Sequence, residues 1–426
     1  MKKLLNFFIE AGKLKTIERK GIAFYGVKNP ETTAEHTFRM AIVGWFLGGT
    51  EHLNIVEVLK IILVHDLCEV YAGDITPYDG LLPKNTKKRF KFVRRWPRLS
   101  EKEKKMRYLR KFKKEEKSLR KLIKELPVKE GKEILNYWLD YERGSLKDGK
   151  FVHQIDRTEN LIEAFNCWQK DKNFPTLPWW EHAEQVIDNP DILKFVKIIE
   201  SKELGQKQAK KDYVNENLLA FFTELEKLKG MPRHGWVINN IKNPESAAQH
   251  IFRATLMAWL LTAKKKGLNV GRVMKISLIH ELGKIYAGDI TPYDKMLSGD
   301  PAENKKILKN WPKFSNVKWK KIDQVRFKKE EKSFKKVILN LPVKLKKEIN
   351  GLWLDYKKGL TPEARFFRQI DGLENFLQAM EYNKKYKKPP QEPWWEWAKE
   401  FFDDPISLEF VEEIAKKFHH KKKPRV

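Results

Sequence analysis

Ile61-Ile-Leu-Val-His65-Asp66-Leu-Cys68-Glu69-Val-Tyr71-Ala-Gly-Asp74 is an apolar run that ends in a dense set of polar groups. The run reads as a buried helix, and the glycine before Asp74 marks a loop. Helical spacing sets His65 and Glu69 on one face, with Asp66 about 100° around from His65. An imidazole and two carboxylates at the end of a buried helix are costly unless compensated, and a divalent cation is the usual compensation. The plainer reading is a satisfied core histidine beside a solvated acidic turn. The rest of the chain decides between the two.

Outward from this stretch the chain repeats itself. Tyr71-Ala-Gly-Asp-Ile-Thr-Pro-Tyr-Asp79 returns unchanged as Tyr286 through Asp294, an offset of 215. Upstream, Val27-Lys-Asn-Pro-Glu-Thr-Thr-Ala-Glu-His36-Thr-Phe-Arg39 returns as Ile241-Lys-Asn-Pro-Glu-Ser-Ala-Ala-Gln-His250-Ile-Phe-Arg253. Downstream, Trp96-Pro97 returns as Trp311-Pro312, and Gln154-Ile-Asp156 as Gln369-Ile-Asp371. One domain of about 200 residues has been duplicated. The expected organisation is a first domain over 1–200, a polar linker over 201–211, a second domain over 212–418 and a basic tail over 419–426. Residues 1–15 match 215–229, so the N-terminal segment is expected to be a domain helix and not a targeting signal.

Apolar residues recur at spacings of three and four, as in Phe38, Ile42, Trp45 and Phe46 or Ile55, Leu59, Ile62 and Leu63. No run alternates with period two, so the fold class is all-α, two tandem helical bundles. Thr32-Thr-Ala-Glu35 and Ser246-Ala-Ala-Gln249 read as capping boxes, which gives Glu35 a structural duty. Residues 84–125 read as one or two amphipathic helices with a basic outer face. That face is either a solvated surface or a wall that steers an anionic substrate.

The chain of 426 residues carries a net charge of +29. Such a balance attracts nucleotides, nucleic acid or acidic surfaces, or reflects a generally basic exterior. Two cysteines, Cys68 and Cys167, exclude a disulfide framework and fit a reducing cytoplasm. No run reaches the roughly 18–20 apolar residues of a membrane span.

In chain order the first repeat offers His36, then His65 with Asp66, then Asp156, on three helices, each interrupting an apolar stripe. Two imidazoles and two carboxylates form a ligand set suited to Mn, Fe, Co, Ni or Zn, with room for water. The ordered motifs Pro-Glu-(Ser/Thr)-x-x-x-His, His-Asp-x-x-Glu-x-x-x-Gly-Asp-Ile and Gln-Ile-Asp resemble those of the HD-domain metal-dependent phosphohydrolases. The similarity is greatest to the 5′-deoxynucleotidase branch. The resemblance spans nearly all of each repeat. It implies that His36, His65, Asp66 and Asp156 hold the metal, that Glu69 positions or protonates during attack on phosphorus, and that Asp74 meets the sugar side of the substrate. It also implies Arg19 and Arg39 as phosphate contacts. The implied reaction is in-line attack of water on a nucleoside 5′-monophosphate, with the nucleoside leaving.

The second repeat departs from this pattern. His250, His280 and Asp371 are kept, but Asp66 becomes Glu281 and Glu69 becomes Lys284. A fixed cation four residues from His280 opposes metal binding and removes the acid. The second site is therefore expected to be degenerate and catalytically inactive, bracing the first domain or binding a nucleotide without hydrolysing it. The family branch carries an aromatic residue about fourteen positions before its first histidine; the second repeat has Trp236 there and the first has Ile22. The expected partner is a small nucleotide, with nucleic acid a further possibility from the charge. The two repeats are expected to form an internal pseudo-dimer, in a monomeric or homo-oligomeric chain. The competing classes are a hydrolase of another small phosphoester and a non-catalytic nucleotide- or nucleic-acid-binding protein.

Overall fold

The computed structural model describes residues 1–49, 53–206, 211–298, 300–309 and 315–419. The described residues form helices and connecting turns, with two isolated β-bridges, Glu18 to Thr32 and Pro232 to Ser246, and no strand. The all-α, two-bundle reading holds. Among these residues no helix is long and apolar enough to cross a membrane.

Each bundle is built around one buried helix. In the first it is Thr33–Gly48, whose sixteen residues are all buried. Thr32 caps it through Glu35 in the expected capping box, and Ser246 with Gln249 does the same for Ala247–Thr262. The first central helix packs against Ile55–Val64 and Lys147–Lys170. Gly44 sets the closeness of that approach, since a Cβ there would come within 2.5 Å of Ile62 Cδ1. The second central helix packs in the same way against Val270–Ile279 and Pro362–Tyr386.

The compact units do not follow the repeat boundaries. One unit is Ile9–Glu224; the other is Met1–Phe8 together with Leu225–Val426. Each unit thus takes its first helical segment from the other repeat, a division that differs from the repeat bounds 1–200 and 212–418. Apolar packing is the reason. Phe8 lies against Phe410, and Lys417 reaches Asn6 at 2.5 Å. In the other unit Phe46 stacks on Phe221 at 5.2 Å, and Phe222 sits against Phe46 and Phe195. Of the expected linker, Ser201–Glu203 close the helix Pro190–Glu203, and residues 207–210 lie outside the described residues. So do Trp311-Pro312 and, within the basic tail, residues 420–426.

Candidate metal centre and cleft

The helix Ile55–Val64 stops one residue before His65. Backbone hydrogen bonds then run from Leu67 N to Val64 O and from Glu69 N to Asp66 O, the three-residue spacing of a 3₁₀ turn. In such a turn residues three apart eclipse. Asp66 and Glu69 therefore share a side, which replaces the expected pairing of His65 with Glu69. Arg19 faces both, with Nη1 3.0 Å from Asp66 Oδ2 and 3.8 Å from Glu69 Oε1. Gly73 follows at φ +70° and ψ 164°, a conformation that glycine alone adopts readily, and turns Asp74 back into the site. Asp74 Oδ2 accepts the Lys20 backbone N–H at 2.7 Å, so it braces the segment that carries Arg19.

His36, His65 and Asp156 converge, each offering one ligand atom within 4.8 Å of the others. Both imidazoles are oriented by their outer nitrogen. His36 Nδ1 meets the Glu159 carboxylate, and His65 Nδ1 meets the Ile62 carbonyl at 2.6 Å. That leaves both Nε2 atoms inward and buried, and neither makes a hydrogen bond. Holding Nδ1 to expose Nε2 is how proteins present metal-ligating histidines. His36 Nε2 lies 3.3 Å from Asp156 Oδ1 and His65 Nε2 lies 3.1 Å from Asp66 Oδ2. Burial and Arg19 disfavour charge on His36, yet Glu159 and Asp156 raise its imidazole to about 9. The place stabilises positive charge, and the residues present fit a divalent cation. Asp66 is one step outside the three-atom group, shared between His65 and Arg19.

Asp156 is itself held. Tyr141 donates to its Oδ2 at 2.6 Å, Asn160 to its Oδ1 at 2.8 Å, and Arg157 Nη1 sits 3.0 Å from Oδ2. Burial opposes its charge, but Arg157 and His36 keep it well below the usual carboxylate range. Burial has the reverse outcome at Glu69: desolvation, then the carboxylates of Asp66 and Asp74, push its carboxyl well above the usual range. Thr33 Oγ1 donates to it at 2.6 Å.

The structure does not bring Arg39 to this cleft. Its guanidinium is fully buried, with Nε 2.7 Å from Glu159 Oε1 and Nη2 2.6 Å from Glu163 Oε2. Arg39 orients His36 through Glu159 and is not a phosphate contact. Arg39→Ala strands two buried carboxylates and will destabilise the fold by about 3–5 kcal/mol. Denaturant titration checks this; a raised KM with unchanged stability would return Arg39 to substrate binding. Glu159, Tyr141 and Asn160 escaped the reading of the sequence, although each is copied, as Glu374, Tyr356 and Asn375.

Asp156, with Arg19, Asp66, Glu69 and Asp74, lines a cleft of about 860 Å³, together with Tyr25, Tyr78, Trp96, Trp179 and His182. Ile22 lies in its wall, buried with Ala164, Cys167 and Phe174, and Tyr25 and Trp179 pack against them.

The second bundle keeps the scaffold and changes the charge. His250, His280 and Glu281 still offer three close ligand atoms. His250 Nδ1 meets Glu374, as His36 meets Glu159. Lys284 Nζ, however, lies 2.6 Å from Glu281 Oε2 and 2.7 Å from Asp289 Oδ1. Burial opposes both charges of the Lys284–Glu281 pair, yet Lys284 holds Glu281 well below the usual range while Asp289 and Glu281 raise Lys284. Arg233 Nη1 adds a further contact to Glu281 at 3.8 Å. Trp236 is buried there, its indole N–H donating to Glu245 at 3.0 Å.

Comparison with known proteins gives the same picture of the repeat. The family model for the HD domain matches residues 11–177 and again 225–399. A 5′-deoxynucleotidase HDDC2 from Bos taurus is 34% identical over 173 residues, covering 41% of this chain and 71% of that protein. The Homo sapiens protein of the same name is 30% identical over 199 residues, covering 46% of this chain and 84% of its own. Among solved structures, a conserved hypothetical protein from Pyrococcus furiosus is 25% identical with a TM-score of 0.33, covering 47% of this chain and 98% of that one.

Proposed function

We propose, from the premise that this chain belongs to the HD-domain family, that its first repeat is a metal-dependent phosphoric monoester hydrolase. Its substrates are nucleoside 5′-monophosphates, and the second repeat does not turn over. One observation carries the reading: two buried imidazoles present Nε2 atoms without a hydrogen bond beside Asp156, which itself lines an open cleft. The matching relatives named 5′-deoxynucleotidase support the substrate class.

His36, His65 and Asp156 would hold the cation, with Asp66 beside them. Such a cation, when bound, supplies Lewis acidity to the phosphate and to water. An imidazole and carboxylate set suits manganese, cobalt, iron, nickel or zinc. Arg19, anchored by Asp66 and Asn160 at 3.0 and 3.2 Å, orients a phosphate over the site. Glu69, its carboxyl raised by burial and by Asp66 and Asp74, delivers a proton to the departing O5′. Tyr141 and Asn160 fix Asp156, and Asp74 fixes the Arg19 segment. In the second repeat the Lys284 ammonium stands in Glu69's place and occupies Glu281 and Asp289, which supports a site without the proton donor.

The test is phosphate release from ribo- and deoxynucleoside 5′-monophosphates with Mn²⁺, Co²⁺ or EDTA. Metal-dependent release is the expected result. No release with any metal would sink the nucleotidase reading and leave a binding role.

A further inference from the structure

The first cleft holds more cationic side chains than one phosphate needs, set against the carboxylates Asp66, Glu69, Asp74, Asp79, Glu142 and Asp156 in the same lining. Beyond Arg19, the helix Glu101–Ile123 lines it with Lys104, Arg107, Arg110, Lys111 and Lys114, and Arg157 lines it from the helix Lys147–Lys170. Positions 107, 110, 111 and 114 fall on one helical face and span about 10 Å. Lys104 and Lys111 have acidic partners, Glu101 at 2.9 Å and Glu115 at 3.2 Å. Arg107 donates to a backbone carbonyl, Asp79 O, at 2.9 Å. Arg110 and Lys114 make no ion pair among the described residues.

A merely basic exterior would be copied throughout in the second repeat; Lys111 and Lys114 do return, as Arg326 and Lys329, but the rest of this face does not. At the offset of 215, Lys104, Arg107, Arg110 and Arg157 are replaced by Trp319, Ile322, Val325 and Gly372. The helix around them is retained, with Glu115, Ser118 and Trp138 matched by Glu330, Ser333 and Trp353. The bundle therefore folds without those four cations, and they accompany only the complete metal motif. The same cleft holds aromatic faces, including Trp96 stacked on His182 at 3.9 Å and 21°. A cationic track beside stacking surfaces is the chemistry that recognises single-stranded nucleic acid.

We infer that the first cleft binds the 5′-phosphorylated end of a short single strand, with Arg107 and Arg110 holding internal phosphates while the terminal phosphate lies at the metal centre, where Arg157 stays paired with Asp156 at 3.0 Å. This rests on the phosphohydrolase reading above. Water adds to the terminal phosphorus, the P–O5′ bond breaks, O5′ takes a proton, and inorganic phosphate and a 5′-hydroxyl strand leave.

The experiment compares kcat/KM of the full chain with Mn²⁺ for thymidine 5′-monophosphate, thymidine 3′,5′-bisphosphate, and 5′-phosphorylated thymidine di- and tetranucleotides. The strands should exceed the mononucleotide by at least about tenfold at about 50 mM salt, and the advantage should shrink toward about 200 mM with an added log–log slope of roughly −0.7 per phosphate held. Arg107→Ile with Arg110→Val installs the second repeat's own residues on the matching helix, and should abolish that ratio. Equal values for all four substrates would overturn the inference and leave the nucleotidase reading standing. A gain complete in the bisphosphate, with none from di- to tetranucleotide, would also overturn it. If nothing is hydrolysed, the phosphohydrolase reading fails. Anisotropy of a 3′-labelled, 5′-phosphorylated tetranucleotide in EDTA then decides strand binding. Salt-sensitive binding lost in the double variant supports it, and absence of binding overturns it.

Discussion

Asp156→Asn will lower metal-dependent phosphate release by at least roughly 10²–10³-fold, whereas Asp371→Asn will leave it intact. The substitution keeps the volume and the hydrogen bond from Tyr141 but removes the charge that faces His36 Nε2 at 3.3 Å. An amide there presents a neutral group to the inward imidazoles and loses the cation. Elemental analysis of purified protein separates the repeats. Wild type should carry one metal per chain, Asp156→Asn none and Asp371→Asn one. Lys284→Glu combined with Glu281→Asp restores the first repeat's ligands in the second and should raise the content to two. Equal loss of activity in both asparagine variants would place the second repeat in the live site and overturn the assignment of one catalytic repeat.

Glu69→Gln should reduce kcat by roughly 10²–10⁴-fold with a much smaller change in KM. The argument turns on protonation. Burial beside Asp66 and Asp74 raises the Glu69 carboxyl, so it keeps its proton at pH values where an ordinary glutamate has lost it. A donor of this kind is active below its raised pKa and fails as pH climbs through it. Wild-type kcat should therefore fall on the alkaline side, and glutamine should remove that limb while depressing the plateau. A glutamine variant with wild-type kcat and an unchanged profile would rule out Glu69 as the acid. Lys284 at the matching position makes the same point from the other repeat, since an ammonium paired with two carboxylates holds its protons more tightly and is a poor acid at neutral pH.

Much of the site was legible before any coordinates. His36, His65 and Asp156 stood out because each is a ligand-type residue set in an apolar stripe, and because the duplication shows each of them twice. Arg39 was misplaced for an equally plain reason. It follows His36 by three on the same helix, and spacing alone does not say that Glu159 and Glu163, more than a hundred residues later, lie on its side. Glu69 was assigned the right neighbourhood and the wrong partner, because a helix of regular pitch was assumed where the backbone tightens into a 3₁₀ turn. Glu159 had a readable signal, three residues after Asp156 and copied as Glu374, yet its reach to both His36 and Arg39 appears only when the helices pack.

Chemical identity and local periodicity reside in the sequence, so the sequence alone determined the duplication, the all-helical class, the order of the ligand-type residues and which repeat has lysine where the other has Glu69. Orientation depends on contacts between distant segments, and only the tertiary structure decided it. Packing turned both Nε2 atoms inward, buried Arg39, set Arg19 over Asp66 and Glu69, and aligned the cations of Glu101–Ile123 along the cleft. It also gave each unit the other repeat's first segment. The matched sequences of those two segments are nearly interchangeable in apolar pattern, and the choice between them lies in which phenylalanines, Phe8 with Phe410 or Phe222 with Phe195, the folded chain brings together.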